Sequence, residues 1–544
     1  MFRLRLALVA CVCLSASANV GAQQARVEVK IIDEAGEVTP ARAWVTVDGQ
    51  RYFAPESPFT ATPYRQDQSF SCDGRFVMAI PPGEAIVHVE KGKEFRPVNV
   101  AVSVKPGETT QKTVRLQRWI DMPALGWYSA DMHVHLGFDN PSVLRQLALA
   151  DDVHLLPAFT YWLRGQGETW NESWPDASFT EPIRIDARHV VTRNNLEIER
   201  IARDAAPGAE VGATFLFHLS KPVTADRYGE HFPTDAELCG QAREHSPRSV
   251  FDSDKPSWAE TVVGAALGSL DTIQVCHNHY HRTSTLAGGY GMIGPLAAGE
   301  SNEAAGDGLF HRTNALYYRL LNCGFRLGVS GGSAIGVMPV PAGFHRVYAS
   351  LDGPMSVDAM WDAIRSGRSF ATTGPMLFLT ANGQPPGSIL PFRAIDAMEV
   401  SIELEVKSIE AIEALELIQN GRLVASIDLR EQASDPVLKS TLVHHVKVER
   451  SGWIAGRALY RAPDGLLRQA HTSPVYLEVD RKPTAFAEDA RYMLRWIAHL
   501  RMIADHTADH FPDQAAREQV MGIYASAEAR YEQIVQDAQT HWER

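Results

Sequence analysis

Apolar and polar residues alternate along the first part of the chain. Val27, Val29 and Ile31 show the pattern, and the run Val98–Val104 repeats it. A period of two places the apolar side chains on one face of a β-strand, and turn sequences containing Pro and Gly separate the runs. Residues 25–117 are therefore predicted to form a small β-sandwich with a structural or adhesive role.

Between residues 119 and 374, short apolar runs alternate with segments of helical periodicity. Val143–Ala150 is predicted to be a helix, and a predicted helix at Trp258–Leu270 leads into a predicted strand, Thr272–Cys276. Repeated alternation of helices and strands favours an α/β unit with a largely parallel sheet, either open or closed. In such units, functional sites lie at the carboxyl ends of the strands.

The pattern returns to a period of two after residue 374. Met398–Val406 and Leu442–Val448 are predicted strands, and residues 375–482 are expected to form a second β-sandwich. Residues 484–544 are charged and helix-prone, with apolar residues at helical spacing. They are predicted to form a helical tail that packs on the body of the protein or on a partner subunit.

The extreme N-terminus has the composition of a secretory signal. Arg3 and Arg5 precede the apolar run Leu6–Leu14, and small residues follow up to Ala22. Residues 1–22 are therefore predicted to be removed on export to the periplasm or the extracellular space; the alternative is a cytosolic protein with an apolar start. No segment approaches the roughly 20 apolar residues that cross a bilayer, so no integral membrane segment is expected.

Length, charge and cysteine content narrow the possible functions. A chain of 544 residues is expected to form several domains. Its formal net charge of -13, without a basic block, argues against nucleic acid as a main partner. The cysteines that follow the predicted signal form no C-x-x-C motif, so neither a disulfide framework nor a cysteine-rich zinc site is expected. The sequence leaves the oligomeric state open.

The strongest chemical signal is the stretch Trp127–His135, in which an aromatic lead-in precedes Asp-x-His-x-His. If this stretch is a strand, Asp131, His133 and His135 point to the same face. Two imidazoles and a carboxylate at a strand end suit a divalent metal that takes nitrogen and oxygen ligands. The alternative is a polar strand end with ordinary surface histidines.

Other predicted strand ends carry side chains that can bind a metal. One strand runs into His277 and His279, which alternate in the same way, and Glu197 and Glu199 form an alternating acidic pair. Several such strand ends in one α/β unit can assemble a metal site. The alternatives are loop histidines and solvated carboxylates; His218, at the end of another predicted strand, fits a ligand and a hydrogen-bonded core histidine equally well.

Three motifs follow one another through the central part of the chain. They are Gly126–His135, then Tyr317–Gly324 with Val329–Ser333, and finally Ser366–Pro375. Over roughly residues 119–386 the chain thereby resembles the PHP (polymerase and histidinol phosphatase) metallohydrolases, and more closely their CehA/McbA branch. The resemblance implies a distorted β/α barrel with a metal site at the strand ends. It also implies hydrolysis of phosphoester, ester or carbamate bonds.

The chain departs from this family at two motifs. The second family motif ends in Thr-Asp-His where this chain has Ala158–Trp162, and the closing motif contains Asp-x-His where it has Gly331–Gly336. Matched motif by motif, the resemblance implies four metal ligands: His133, His135, Glu197 and His277. That set supports one ion rather than the two or three of fuller family members. Zinc, manganese and iron all accept such ligands.

If the chain is an enzyme, a single ion in this site would activate water. Metal binding lowers the pKa of water from about 16 to about 7, and the hydroxide would attack a carbonyl or phosphoryl centre. Asp131 is expected to orient a ligand imidazole or to bind the metal, and Glu199 or His279 to move protons. Aromatic residues between Thr160 and Trp174 are expected to line a pocket for a small apolar or sugar-like substrate, or to pack a loop.

Two other functions are compatible with the sequence. Gly328–Gly332 fits G-x-S-x-G, which would make Ser330 the nucleophile of a serine hydrolase. A nucleophile elbow must lead directly into a helix, and the stretch after it, with Pro339 and Pro341, does not have a helical pattern. The other alternative is a catalytically degenerate PHP-like binding or surface-scaffold protein, because part of the usual ligand set is missing.

Overall fold

The computed structural model describes most of the chain after the predicted signal, which itself lies outside the described residues, as do Trp170 and Trp174. The described residues are 25–56, 61–137, 139–165, 176–200, 212–225, 227–286, 306–394, 399–432, 436–507 and 510–542. Residues 161–165 and 200 are described by their backbone alone. The described chain is a mostly-β multidomain protein with several sheets and a C-terminal helical region, and its four cysteines are buried free thiols.

The N-terminal unit consists of two packed β-sheets. Its strands are β1 (Ala25–Ile32), β2 (Ala41–Val47), β3 (Gln50–Tyr52), β4 (Ala61–Tyr64), β5 (Ser69–Cys72), β6 (Arg75–Ile80), β7 (Gly83–Glu90), β8 (Val98–Val104) and β9 (Thr109–Arg115). One sheet has the order β6-β1-β9, and the other has the order β4-β5-β2-β7-β8, with β3 paired to β2. The alternating Val27, Val29 and Ile31 are buried in the core that the two sheets share. The period-two pattern therefore corresponds to a two-layered β unit.

The described residues of the central unit form ten strands and five helices. Its elements are β10 (Trp127–Ala130), α1 (Pro141–Ala150), β11 (Leu155–Gly165), β12 (Ile183–Arg184), β13 (Val190–Arg200), β14 (Gly212–Phe217), α2 (Asp235–His245), β15 (Val250–Ser253), α3 (Thr261–Ala266), β16 (Thr272–Cys276), α4 (Asp307–Asn322), β17 (Gly328–Gly331), β18 (Arg346–Ser350), α5 (Val357–Arg365) and β19 (Ser369–Thr372). Two short 3-10 helices, Pro123–Leu125 and Ala177–Thr180, lie between them.

Local sequence signals fix where the helices begin. The Asn140 side chain accepts hydrogen bonds from the first backbone amides of α1, and Pro141 occupies the first helical position. Thr234 and Glu237 form a reciprocal capping box at the start of α2. Ser356 caps α5 in the same way as Asn140 caps α1. These caps satisfy amide groups that have no partner inside their helix.

The central strands belong to one mixed sheet, with the order β17-β16-β15-β14-β13-β11-β10-β18-β19. The pairs β17–β16, β16–β15, β13–β11 and β11–β10 are parallel, and the other four pairs are antiparallel. The sheet is therefore mixed, whereas the helix–strand alternation predicted a largely parallel one. The reason is that β14 and β18 each run opposite to both of their neighbours.

The strands form no closed barrel among the described residues. The segment that follows β10 is nonetheless held between β11 and the segment that follows β17. The Met132 backbone N–H donates to the Gly331 carbonyl at 3.0 Å. Val134 forms isolated parallel bridges with both Ala158 and Ile335. Strand ends from both halves of the central sheet therefore meet around this segment.

The C-terminal strands extend the central sheet instead of forming a separate pair of sheets. They are β20 (Met376–Ala381), β21 (Ile389–Phe392), β22 (Glu399–Ser408), β23 (Ile412–Gln419), β24 (Arg422–Asp428), β25 (Leu438–Lys447), β26 (Gly452–Arg461), β27 (Leu467–Thr472) and β28 (Val475–Val479). Because β19 pairs with β27, the order β27-β26-β23-β24 continues the central sheet, while β20, β22 and β25 form a second layer. The two layers share an apolar core.

Two long helices, α6 (Ala487–His506) and α7 (Gln514–His541), complete the fold. Their apolar faces, including Trp496 and Tyr531, share one core with α3 and α4. Tyr531 Oη also donates to the Val262 carbonyl at 2.8 Å. The helices therefore pack on the body of the protein, which was one of the two arrangements predicted. None of the helices in the described part of the chain is long and apolar enough to cross a membrane.

Candidate metal centre

Three of the side chains predicted as metal ligands converge beside the central sheet. The ring Nε2 atoms of His133 and His135 lie 2.9 Å apart. Glu197 Oε2 lies 3.0 Å from His135 Nε2 and 3.8 Å from His133 Nε2. All three side chains are at most 8% exposed to solvent. The three atoms are close enough together to hold one ion.

Strand alternation and sheet pairing bring these residues together. Met132 and Val134 are buried in apolar clusters on one side of the segment after β10. His133 and His135 therefore face the other side. Glu197 lies in β13, which pairs with β11, the neighbour of β10.

Asp254, which follows β15, lies beside the His133 ring. Its Oδ1 lies 3.3 Å from His133 Nδ1, and its Oδ2 accepts from Trp258 Nε1 at 3.0 Å and pairs with the Lys255 ammonium. A carboxylate next to Nδ1 favours the tautomer that carries its proton on that nitrogen. The Nε2 lone pair of His133 is then directed at the other two ligand atoms, where a cation would accept it.

Asp254 is charged in spite of its burial. Burial raises the pKa of its carboxyl, but Lys255 and the His133 contact hold that pKa well below its usual range. Neither Asp254 nor Lys255 was predicted from the sequence. A signal was available, because Asp252 and Asp254 alternate at a strand end as Glu197 and Glu199 do.

The Asp131 carboxylate accepts hydrogen bonds from backbone amides around the site. Its Oδ1 accepts from the His133 amide at 3.1 Å and the Ser333 amide at 2.9 Å, and its Oδ2 accepts from the Gly343 amide at 2.6 Å. Burial raises the pKa of Asp131 to about 6, although these three amides favour the carboxylate. Asp131 thus ties the segment of His133 to the loop between β17 and β18.

His277 and His279 lie beside the three-ligand group, not within it. His277 Nε2 is 3.2 Å from Thr313 Oγ1, and its Nδ1 accepts from the His279 amide at 3.4 Å. Burial, together with the nearby Lys255, lowers the pKa of His277 to about 3 and that of His279 well below its usual value. Both rings are therefore neutral at neutral pH.

Glu199 and His218 have different surroundings. Glu199 is half-buried in β13, opposite Ala213 of β14 and two residues from Glu197. The period of two places both glutamates on one face of the strand. The His218 ring instead contacts Asp358 of α5, with His218 Nε2 at 3.1 Å from Asp358 Oδ1, and burial lowers the pKa of this imidazole. Glu199 is thus near the three-ligand group, and His218 is paired elsewhere.

The stretches Ala158–Trp162 and Gly331–Gly336 both pack on His133 and His135. The Phe159 ring lies 5.7 Å from the His133 ring and 5.3 Å from the His135 ring, centre to centre. A Cβ atom at Gly332 would lie 2.5 Å from His133 Cβ, and one at Gly336 would lie 3.0 Å from His135 Cβ. Glycine is needed there because the loop passes so close to the two histidines.

Ser330 does not have the surroundings of a hydrolase nucleophile. It is fully buried, and its Oγ donates to Asp252 Oδ1 at 2.5 Å. Residues 332–345, which follow β17, contain no helix. A nucleophile elbow places its serine at a sharp turn between a strand and a helix, with a histidine as the base.

A second group of potential ligands, Asp152, His154 and His189, is held by hydrogen bonds. His189 Nε2 lies 3.2 Å from Asp152 Oδ1, and its Nδ1 lies 2.9 Å from Asp186 Oδ2. His154 Nδ1 contacts both the amide and the hydroxyl of Ser129 at 2.9 Å. Burial lowers the pKa of His189, but the two carboxylates raise it above its usual value. Both ring nitrogens of His189 and Nδ1 of His154 thus already have partners within the protein.

Fold and site together define a mostly-β multidomain protein with a candidate divalent-metal centre. No family model matches the chain, and no curated protein matches it either. Its function is therefore inferred from the chemistry of the residues around His133.

Proposed function

We propose that the protein is a metal-dependent hydrolase whose single divalent ion is held by His133, His135 and Glu197. The proposal rests on the convergence of three buried ligand atoms, none more than 3.8 Å from another. Two imidazoles and a carboxylate leave one position of a tetrahedral ion open, as in catalytic zinc sites. Zinc, manganese and iron all fit this donor set.

Residues around the ligands prepare the site for this chemistry. A bound divalent ion would lower the pKa of a water ligand to about 7 and polarise a carbonyl or phosphoryl oxygen. Asp254 keeps the proton on His133 Nδ1, so that Nε2 presents its lone pair. Asp131 fixes the backbone at His133. Glu199 and the neutral His279 are the groups that we propose to move protons.

We further propose that the central sheet is a divergent, open version of the PHP fold of the CehA/McbA type, and that the protein acts on a phosphoester, ester or carbamate. This proposal is supported by the position of Ala158–Trp162 and Gly331–Gly336, the stretches that correspond to the second and closing motifs of that family. They lie against the ligand histidines through Phe159 and through Gly332 and Gly336. Neither stretch supplies an acid or an imidazole, and for this reason we propose one ion.

The proposed setting is outside the cytoplasm, with a small apolar or sugar-like substrate. The proposed location outside the cytoplasm rests on the signal-like composition of residues 1–22. The proposed substrate class rests on the aromatic residues between Thr160 and Trp174, which lie in the sequence between the two proposed histidine ligands and Glu197.

Metal content of the purified mature protein is the first test. After reconstitution with zinc or manganese, elemental analysis should find about one equivalent per chain, and the His133→Ala/His135→Ala double variant should lose it. His218→Ala is the matched control and should keep the metal, because that ring pairs with Asp358. Equal metal in wild type and double variant would exclude this site.

Hydrolysis is tested on the same preparations with chromogenic esters, phosphoesters and carbamates. Turnover that requires the metal and disappears in the double variant would support the enzyme. Stoichiometric metal without turnover of any of these substrates would favour the second candidate function, a PHP-like binding or surface-scaffold protein. The observation that favours this second candidate is the lack of an acid or imidazole in Ala158–Trp162 and Gly331–Gly336.

A further inference from the structure

A cavity of about 450 Å³ lies where the N-terminal, central and C-terminal strands meet. Its wall includes Arg42 of β2 and Arg51 of β3, the stretch from Gly343 to Arg346, and Tyr460 of β26. The volume is in the range of cavities that hold small organic ligands. None of the three proposed metal ligands lines this cavity. It is therefore a separate candidate site.

The cavity is basic, although the chain as a whole has a net charge of -13. Its charged lining residues are five cations and two acids: Arg42, Arg51, Lys93, Arg282, Arg346, Glu90 and Glu410. A concave surface with an excess of one charge concentrates ligands of the opposite charge. The local excess of positive charge thus favours an anion.

Most of these cations already form ion pairs or hydrogen bonds within the protein. Glu90 pairs with Arg282 at 2.7 Å and with Arg42 at 3.4 Å, and Arg42 also pairs with Asp151 at 2.6 Å. Arg346 directs its guanidinium at backbone carbonyls, including that of Gly343 at 2.6 Å. These groups are held in place and shape the wall of the cavity.

Lys93 is the cation without such a partner. Its ammonium lies 4.1 Å from the centre of the Phe344 ring, and no carboxylate of the described residues forms a salt bridge with it. Burial, together with the nearby Arg346 and Arg282, lowers the pKa of Lys93 to about 7, against the opposite effect of Glu410 and Glu90. An ammonium in this position lacks a counter-ion.

We infer that this cavity binds a small organic anion. Its carboxylate, sulfate or phosphate group contacts the Lys93 ammonium, and its apolar part lies against Phe344 and Ile409, which also line the cavity. The anion supplies the counter-ion that the protein does not. Because a negative charge next to an amine raises its pKa, binding at pH 8 also carries a proton onto Lys93.

The inference is tested by isothermal titration of the full mature protein with benzoate and with inorganic sulfate at pH 8. We expect saturable benzoate binding that weakens about tenfold or more in Lys93→Gln. Lys105→Gln, an exposed lysine in the turn between β8 and β9, is the matched control and should bind as wild type does. Glu410→Gln removes an exposed acid from the cavity wall and should tighten binding.

Proton uptake provides an independent readout. In wild type the binding enthalpy should vary with the ionisation enthalpy of the buffer, and Lys93→Arg, which stays charged, should bind benzoate without that variation. Three results would overturn the inference: no saturable binding of benzoate by wild type, equal affinity in wild type and Lys93→Gln, or binding of sulfate alone. Metal content should be the same in all these variants, since none of them alters the candidate metal centre.

Discussion

At the scale of single residues, the orientation of the His133 ring depends on a carboxylate from a different strand. Asp254 contacts His133 Nδ1 at 3.3 Å, and the ring packs edge-on against Phe215, with 4.5 Å between the ring centres. The aromatic contact limits tilting of the ring, and the carboxylate sets which nitrogen carries the proton. Affinity for a metal should therefore depend on Asp254, although it is not one of the three ligands.

The Asp254→Asn variant tests this dependence. An amide at this position keeps the size of the side chain but removes its charge and leaves Lys255 without its ion pair. Loss of such a carboxylate typically weakens metal binding about 10- to 100-fold, and competition with a chromogenic chelator would measure the change. Asp352→Asn, whose side chain is 89% exposed, serves as the control. Wild-type affinity in Asp254→Asn would show that the contact does not support the site.

Asp252, two residues before Asp254, is a buried carboxyl of another kind. It accepts hydrogen bonds from Ser330 at 2.5 Å, Thr272 at 2.6 Å and Gln274 at 2.9 Å. Burial raises its pKa to about 7, although these three donors lower it. A carboxyl whose pKa is higher in the folded protein than in the unfolded chain binds its proton more tightly in the folded state. Its contribution to stability is then largest at low pH and is lost as the pH rises from about 4 to about 7.

Asp252→Asn should therefore change stability in a pH-dependent way. The neutral amide removes the cost of ionising a buried carboxyl, so the variant should be more stable than wild type at pH 8, by at most about 4 kcal/mol. At pH 5 the difference should be much smaller, because the carboxyl of the folded wild type is then protonated. Thermal unfolding at the two pH values measures this, with Asp352→Asn as a control that should follow wild type. A variant less stable than wild type at pH 8 would mean that the ionised carboxylate is required.

At the scale of elements, strand alternation predicted much of the candidate site. The period of two is a local property, so the sequence alone indicated that His133 and His135 share a face and that Glu197 belongs to an alternating strand. The strand Thr272–Cys276 has the predicted bounds. The convergence of His133, His135 and Glu197 could not be derived from their spacing in the sequence, because it depends on β11 pairing with both β10 and β13.

Long-range pairing explains what the sequence did not predict. The role of Asp254 depends on β15 lying close to the segment after β10, and no local pattern encodes that distance. The extension of the central sheet into the C-terminal strands depends in the same way on the pairing of Phe370 with Thr472. Helix α2 was not predicted for a different reason. Its capping box of Thr234 and Glu237 is visible in the sequence, but its apolar periodicity is too weak to indicate a helix.

At the scale of the whole molecule, the C-terminal helices support the region that carries Asp254. Tyr531 of α7 donates to the Val262 carbonyl in α3 at 2.8 Å, and Tyr524 Oη lies 3.4 Å from Glu260 Oε1. Helix α3 begins at Thr261, shortly after Asp254. The helical region is therefore part of the core that surrounds the candidate metal centre, not an independent appendage.

Trp496→Ala tests how much this packing contributes. Trp496 of α6 is 1% exposed, within the core shared with α3 and α4. Replacing a buried tryptophan by alanine leaves a cavity and typically costs about 3–5 kcal/mol, so the thermal unfolding midpoint should fall clearly. Met502→Ala, on the same helix but 48% exposed, should change stability by no more than about 0.5 kcal/mol. If both variants had the same unfolding midpoint as wild type, α6 would not share a cooperative core with the body of the protein. Faster hydrogen exchange confined to α6 and α7 in Trp496→Ala would lead to the same conclusion.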